Sequence, residues 1–193
     1  MSRVINKLIR KISGSELAQQ QNESIIKGGK ANEEIVPLLR RMAADGCVLL
    51  KNNGALPIKD EDNVAMFGRV QNDSFFVGNG SGGDVCAPYK VSFADGMENN
   101  GKIHINEELK SIYGEWCRKS KNIPDPGFWG HWPRFYPEMP LKRDVVKRAA
   151  DKSNKAVVFI GRSAGEDREN VLKKGSYYLT DREKEMLDLV TAH

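Results

Sequence analysis

The sequence predicts an α/β fold: a mostly parallel sheet with helices on both faces, an α/β sandwich. Three observations carry this. Short apolar runs alternate along the chain with segments of helical periodicity. The runs, such as Val64-Ala-Met-Phe67 and Ala156-Val-Val-Phe-Ile160, are continuously apolar rather than alternating, as strands buried on both faces require. Helix-capping residues stand where the helical segments should begin.

In order, residues 1–30 read as an N-terminal helix and linker, and residues 31–193 as the sandwich domain. Apolar residues at 4, 5, 8, 9 and 12 have helical spacing, and docking of this basic segment on the protein's own surface is preferred over a membrane surface. It lacks the continuous apolar core of a signal peptide. A helix is expected over 31–45, with Asn32 as its cap and Gly46 at its stop. Cys47-Val-Leu-Leu50 is a strand candidate, and Asn52-Asn-Gly54 has turn chemistry. Asn63–Phe67 is a second strand, ended by Gly68. A helix between Pro88 and Met97 and a strand over Lys102–Ile105 follow. Asn106 caps a helix to about Lys119 with Leu109, Ile112, Tyr113 and Trp116 on one side. Leu141–Lys152 is a helix with Val145, Val146 and Ala149 inward, and Ala156–Ile160 is a buried strand. Thr180 and Glu183 form a capping box that opens the last helix. With four strands and a final helix, the sheet is expected to be cut off after the fourth strand and its helix.

Bulk properties exclude several classes. The net charge of +4 is spread along the chain, without an arginine-rich block, so no nucleic-acid partner is expected. No apolar run approaches the roughly 18–20 residues of a membrane span. Cys47, Cys86 and Cys117 are widely spaced with no C-x-x-C pair, which points to free thiols in a reducing, cytoplasmic compartment rather than a zinc site. His104, His131 and His193 have no partner at metal-ligand or triad spacing. No metal or cofactor is expected.

Three stretches carry candidate chemistry. Gly78-Asn-Gly-Ser-Gly-Gly83 formally satisfies G-x-G-x-x-G, but about ten residues separate it from the preceding strand. Nucleotide binding, a turn needing positive φ, and a backbone surface for a polar ligand such as a sugar all stand as readings. Residues 122–140 hold five of the eight prolines and five aromatics, including Trp129, Trp132, Phe135 and Tyr136. That composition forbids a regular element and describes an ordered loop, either anchored by its own rings or stacking on a ligand. Finally, Ser163-Ala-Gly-Glu-Asp-Arg-Glu-Asn170 follows the strand Lys155–Ile160. It therefore falls at the carboxyl edge of the sheet, where open α/β sheets bind ligands. Glu166 and Asp167 can hold a metal, act as acid and base, or pair with Arg162 and Arg168.

Four stretches in order, over roughly residues 40–190, resemble glycoside hydrolase family three. They are Met42–Pro57; Val64–Arg69 with the glycine-rich loop and Pro88–Ser92; Ala156–Arg168; and Gly175–Asp181. The resemblance implies a retaining β-glucosidase type of enzyme built from a barrel and an α/β sandwich. The barrel carries the nucleophilic aspartate. The sandwich carries the acid/base glutamate, which falls on Glu166. Here Asp167 follows where the family often has a glycine-tyrosine pair, so Asp167 is the alternative acid. Arg162, Ser81, Trp129 and Trp132 are the expected sugar contacts. The implied partners are a β-glucoside or related oligosaccharide and the barrel of the same chain. The sandwich precedes its barrel in this reading, a reversal of the usual order. Residues 1–193 alone are expected to be inactive for want of the nucleophile. A non-catalytic carbohydrate-binding module is the main alternative, followed by a nucleotide-binding domain.

Overall fold

The computed structural model describes residues 8, 11–12, 33–76, 78–80, 89–125, 127, 131–163, 165–166 and 169–193. Its described elements are α1 (Ile35–Asp45), β1 (Asn63–Phe67), α2 (Phe93–Asn100), β2 (His104–Ile105), α3 (Glu107–Arg118), α4 (Arg143–Lys152), β3 (Lys155–Val158) and α5 (Asp181–Thr191). Short 3-10 turns follow β1 at Arg69–Gln71 and α3 at Ser120–Asn122. Of the N-terminal segment, Leu8, Lys11 and Ile12 are helical, and the rest of that expected helix and linker lies outside the described residues.

The sheet has three parallel strands in the order β2-β1-β3. Val64 pairs with both Ile105 and Lys155, so β1 is the central strand and supplies most of the core. Its side chains alternate between the two faces. Ala65 and Phe67 pack with Leu109 and Tyr113 of α3, Val146 and Ala149 of α4, and Met186 of α5. Val64 and Met66 pack with Ala94 and Met97 of α2 and with Ile103, Ile105, Val157 and Phe159. Helices therefore cover both faces, which is why β1 is apolar at successive positions.

The caps explain the helix starts. Asn106 accepts from Leu109 N–H to open α3, and Thr180 with Glu183 closes the expected box on α5. α2 starts later than the proline suggests, because Ser92 and Asp95 form a reciprocal capping box there. α1 begins after Glu34 without a side-chain cap, Asn32 lying outside the described residues, and ends at Gly46. Thr180→Ala should cost about 1 kcal/mol in urea unfolding, the usual value of a lost cap. A cost near zero would mean that Glu183 alone holds the helix start.

Two strand expectations are corrected. Cys47–Leu50 forms no strand; Val48 and Leu50 are 79% and 92% exposed. An apolar run becomes a strand only when a neighbouring backbone takes its hydrogen bonds, and no such ladder reaches it among the described residues. The sheet thus has three strands here rather than four. The strand at 156–160 is shorter and less buried than expected. Ladder pairing ends at Val158, and β3 is the outer strand of this sheet, with Ala156 and Ile160 exposed.

Candidate active site

The site starts at the carboxyl ends of β1 and β3. Phe159 N–H still bonds Phe67 O at 2.9 Å, one residue beyond β3. Gly68 then takes φ +97°, a conformation that suits glycine, and a Cβ there would overlap the Phe159 carbonyl. Its N–H donates to the buried Tyr113 hydroxyl at 2.9 Å. From this junction the β1 extension turns into Arg69–Gln71, and the β3 extension runs out through Gly161, Arg162 and Ser163 to Glu166.

Three separate stretches converge on that outgoing segment. Asn79 forms a parallel bridge with Gly165, and Asn79 O accepts from Glu166 N–H at 3.0 Å. Asn79 and Gly80 of the glycine-rich loop therefore lie along Glu166. The next described helix, α2, begins only at Phe93, whereas a dinucleotide loop should open a helix directly. The aromatic loop docks from the other direction. Ser163 N–H donates to Arg134 O at 2.8 Å, and Ser163 Oγ–H donates to Pro133 O. Arg134 Nη1 reaches Glu169 O at 2.6 Å, so the loop holds this segment on both sides of Glu166.

The third stretch is the turn at 171–178. It folds on itself through Gly175 N–H to Tyr178 O at 2.8 Å and Val171 N–H to Ser176 Oγ at 3.0 Å. Phe135 fills the space that a side chain at Gly175 would occupy. Arg162 joins the turn to the site. Its Nε donates to Ser176 O at 3.0 Å, its Nη1 to Gly161 O, and its Nη2 to Tyr178 O. Nη1 and Nη2 also grip the Glu183 carboxylate at 2.6 and 2.8 Å. These bonds use all five guanidinium donors.

Glu166 is exposed at this edge. Trp132 is half-buried beside Gly127 in the aromatic loop. Ser81, Trp129, Asp167 and Arg168 lie outside the described residues. Within the loop, Tyr136 stacks on Phe75 at 4.3 Å, and Phe135 sits under Arg162 at 5.9 Å. These two rings anchor the loop. Among the described residues no cluster of three or more His, Cys, Asp or Glu gathers in metal-binding geometry. No described helix is long and apolar enough to cross a membrane.

Sequence reasoning did not single out two buried charged residues, Arg69 and Glu138. Arg69 is 1% exposed. Its guanidinium binds Asp73 at 2.6 Å, Pro137 O at 2.7 Å and Asn122 O at 2.8 Å. It also lies 4.9 Å from the Trp116 ring centroid and 5.7 Å from that of Tyr136. One side chain thus ties the aromatic loop to α3 and to the 3-10 turn after it. Glu138 is buried too, accepting from Arg69 N–H and Met139 N–H. Burial raises its carboxyl above the usual range, against the pull of those N–H groups. Burial also opposes ionisation of Glu183, but there Arg162 and the Thr180 N–H prevail and hold the carboxyl below its usual range. An arginine directly after the strand-ending Gly68 was the available signal for Arg69; its partners are 53 and 68 residues away.

Known proteins are similar to this chain in sequence and fold. Residues 47–193 match the model of the glycosyl hydrolase family 3 C-terminal domain. A β-glucosidase of Ruminococcus albus is 41% identical over 144 residues, 75% of this chain and 15% of that protein. β-Glucosidase A of Butyrivibrio fibrisolvens is 29% identical over 184 residues, 83% of this chain and 21% of that protein. Among solved structures, a β-glucosidase from Paenibacillus barengoltzii superposes with a TM-score of 0.80 at 42% identity, covering 85% of this chain and 18% of that one. β-Glucosidase 3B from Thermotoga neapolitana in complex with glucose superposes with a TM-score of 0.70 at 28% identity, covering 83% and 22%. The chain spans about a fifth or less of the length of these relatives. The parallel sheet, the convergent loops and these matches together place the chain in glycosyl hydrolase family 3, in the family's C-terminal domain.

Proposed function

We propose that this chain is the α/β-sandwich part of a retaining β-glucosidase and supplies its general acid/base, Glu166. The observation that carries the reading is the position of Glu166. It stands exposed past the carboxyl end of β3, with its backbone locked between Asn79 on one side and the Ser163–Arg134 contacts on the other. An acid/base needs a fixed backbone and an open side chain, because its proton must meet the leaving oxygen at hydrogen-bond distance.

In this mechanism an aspartate of the barrel attacks the anomeric carbon as the bond to the leaving oxygen breaks, and Glu166 gives that oxygen its proton. The resulting carboxylate then takes a proton from water, whose oxygen attacks the anomeric carbon and displaces the aspartate. The two carboxyl groups of such a pair stand about 5–5.5 Å apart. In this reading Trp132, an expected sugar contact by the resemblance, flanks the sugar. Arg162, with its donors committed to the protein, shapes the site rather than touching the ligand. Asp167, Ser81 and Trp129 remain part of the proposed site by sequence resemblance. A cytoplasmic location belongs to the same reading. It is supported by the free thiols of Cys47 and Cys117, the latter pushed up to about 12 chiefly by burial.

The test is Glu166→Ala in the complete enzyme. kcat/KM for cellobiose or an alkyl β-glucoside should fall by about 10²–10⁴-fold, the usual share of a general acid. kcat/KM for a dinitrophenyl β-glucoside should hold within a few-fold, since that leaving group needs no proton. Azide should restore turnover of the activated substrate by replacing the base-assisted water. Equal rates for wild type and variant on every substrate would overturn the assignment and leave a binding role for this domain.

A further inference from the structure

We propose that Glu183, through Arg162, is a positioning residue for the acid/base. This inference rests on the reading of Glu166 as that group. Glu183 is buried at the first turn of α5, and one carboxylate there serves two masters. Oε2 accepts from Thr180 N–H at 2.7 Å, which caps the helix, and both oxygens accept from Arg162 at 2.6 and 2.8 Å. The capping half is an ordinary local device, and a second box in this same chain, Ser92 with Asp95, has no arginine bonded to it among the described residues. The arginine half is the addition. It carries the anchorage of a helix end to the segment that delivers Glu166.

The route is continuous. Arg162 is held in place by Glu183, and in turn it binds Gly161 O in its own strand extension and Ser176 O and Tyr178 O in the turn beyond the site. The neighbouring Ser163 is bonded through N–H and Oγ to the aromatic loop. The path from Arg162 to Glu166 is four residues long, with its start fixed by Glu183 and its end fixed by Asn79. A fork-shaped guanidinium on a two-oxygen acceptor fixes direction as well as distance, which a single bond does not. Releasing it lets the start of the path rotate and moves the Glu166 carboxyl relative to the leaving oxygen. A misplacement of about 1 Å can cost 10²-fold in rate.

The experiment compares Glu183→Gln, Glu183→Asp and Glu166→Ala in the complete enzyme. Glu183→Gln removes the charge and one acceptor oxygen. Its kcat/KM for an alkyl β-glucoside should drop roughly 10- to 100-fold, while kcat/KM for a dinitrophenyl β-glucoside stays within a few-fold. That split reports impaired proton donation. A purely structural role would lower both substrates in parallel, and that result overturns the proposal, as does an unchanged rate on both. Should Glu183→Gln fail to fold, Glu183→Asp decides. It keeps the charge and the cap but withdraws the carboxylate from Arg162, and it should show the same split at smaller size. Glu166→Ala separates the two readings. If it shows the leaving-group split and neither Glu183 variant does, positioning by Glu183 is wrong and the acid/base assignment stands. If Glu166→Ala itself lacks the split, the assignment fails and the positioning proposal falls with it.

Discussion

Gly80→Ala should disable the complete enzyme while leaving it folded, with kcat/KM on a disaccharide down by about 10²-fold. A Cβ at position 80 would sit 2.5 Å from Glu166 Cβ, 2.9 Å from its Oε2 and 3.3 Å from its backbone nitrogen. The backbone there has φ +124°, so the new methyl group is also strained in itself. Neither side can retreat cheaply. Glu166 is bound to this strand of backbone through Asn79 O, and a Cβ at Gly165 on the facing strand would overlap Asn79 O in the same way. The two glycines let two backbones lie in direct contact, and the carboxyl of Glu166 is carried by one of them. The loops lie at the sheet edge rather than in the core, so thermal unfolding should shift by only a few degrees. Kinetics and thermal melts on Gly80→Ala and Gly165→Ala check this. Retention of more than a third of wild-type kcat/KM in both would show that Glu166 does not need this contact.

Arg69→Met should be the most destabilising single substitution in the domain, at about 3–5 kcal/mol in urea unfolding, because it strips one partner from a buried polar network. Methionine matches the arginine stem in length but donates nothing. The carbonyls of Pro137 and Asn122 and the carboxylate of Asp73 lose their bonds in one step. The Trp116 and Tyr136 rings lose the cation between them. Asp73→Asn is the milder control, since Asp73 is a quarter exposed and water can serve it. A loss below about 1 kcal/mol for Arg69→Met would mean that the network behaves as a surface pair.

The same variant has a defined pH dependence. Glu138 is held above the usual carboxyl range mainly by burial, while the Arg69 charge pulls it down. A carboxyl raised in the folded state adds stability below its unfolded value, and that stability is lost as pH rises through the folded value. Without Arg69 the folded value climbs further, so the loss grows. The penalty of Arg69→Met should therefore be larger at neutral pH than in mild acid. An equal penalty at both would show that Glu138 does not feel Arg69.

Local chemistry made much of this fold legible. Asn106, Thr180 with Glu183, and Gly46 mark helix ends because a cap is a contact between residues three or four apart. The run Val64–Phe67 is apolar at every position because both faces of its strand are covered, and that pattern survives without knowing what covers it. The failures have the same root. Cys47–Leu50 looks like a strand by composition, yet a strand exists only through a partner ladder, which composition does not encode. α2 starts at Phe93 rather than near Pro88 because the Ser92–Asp95 box caps it there, and proline is only compatible with a first helical turn.

By itself the sequence determined the α/β class, the helices and strands other than Cys47–Leu50 in their order, and the location of Glu166 just past a strand, since all of these follow from contacts or patterns within a few residues. Only the tertiary structure decided how Glu166 is held. Asn79 is 87 residues from Glu166, Arg134 is 29 from Ser163, and Glu183 is 21 from Arg162. Loops of irregular sequence find such partners by shape and unpaired hydrogen-bonding groups, and no periodicity records the outcome. The arginine expected to contact sugar is bonded to Ser176 O and to Glu183, and that glutamate, expected only as a helix cap, holds the other end of it.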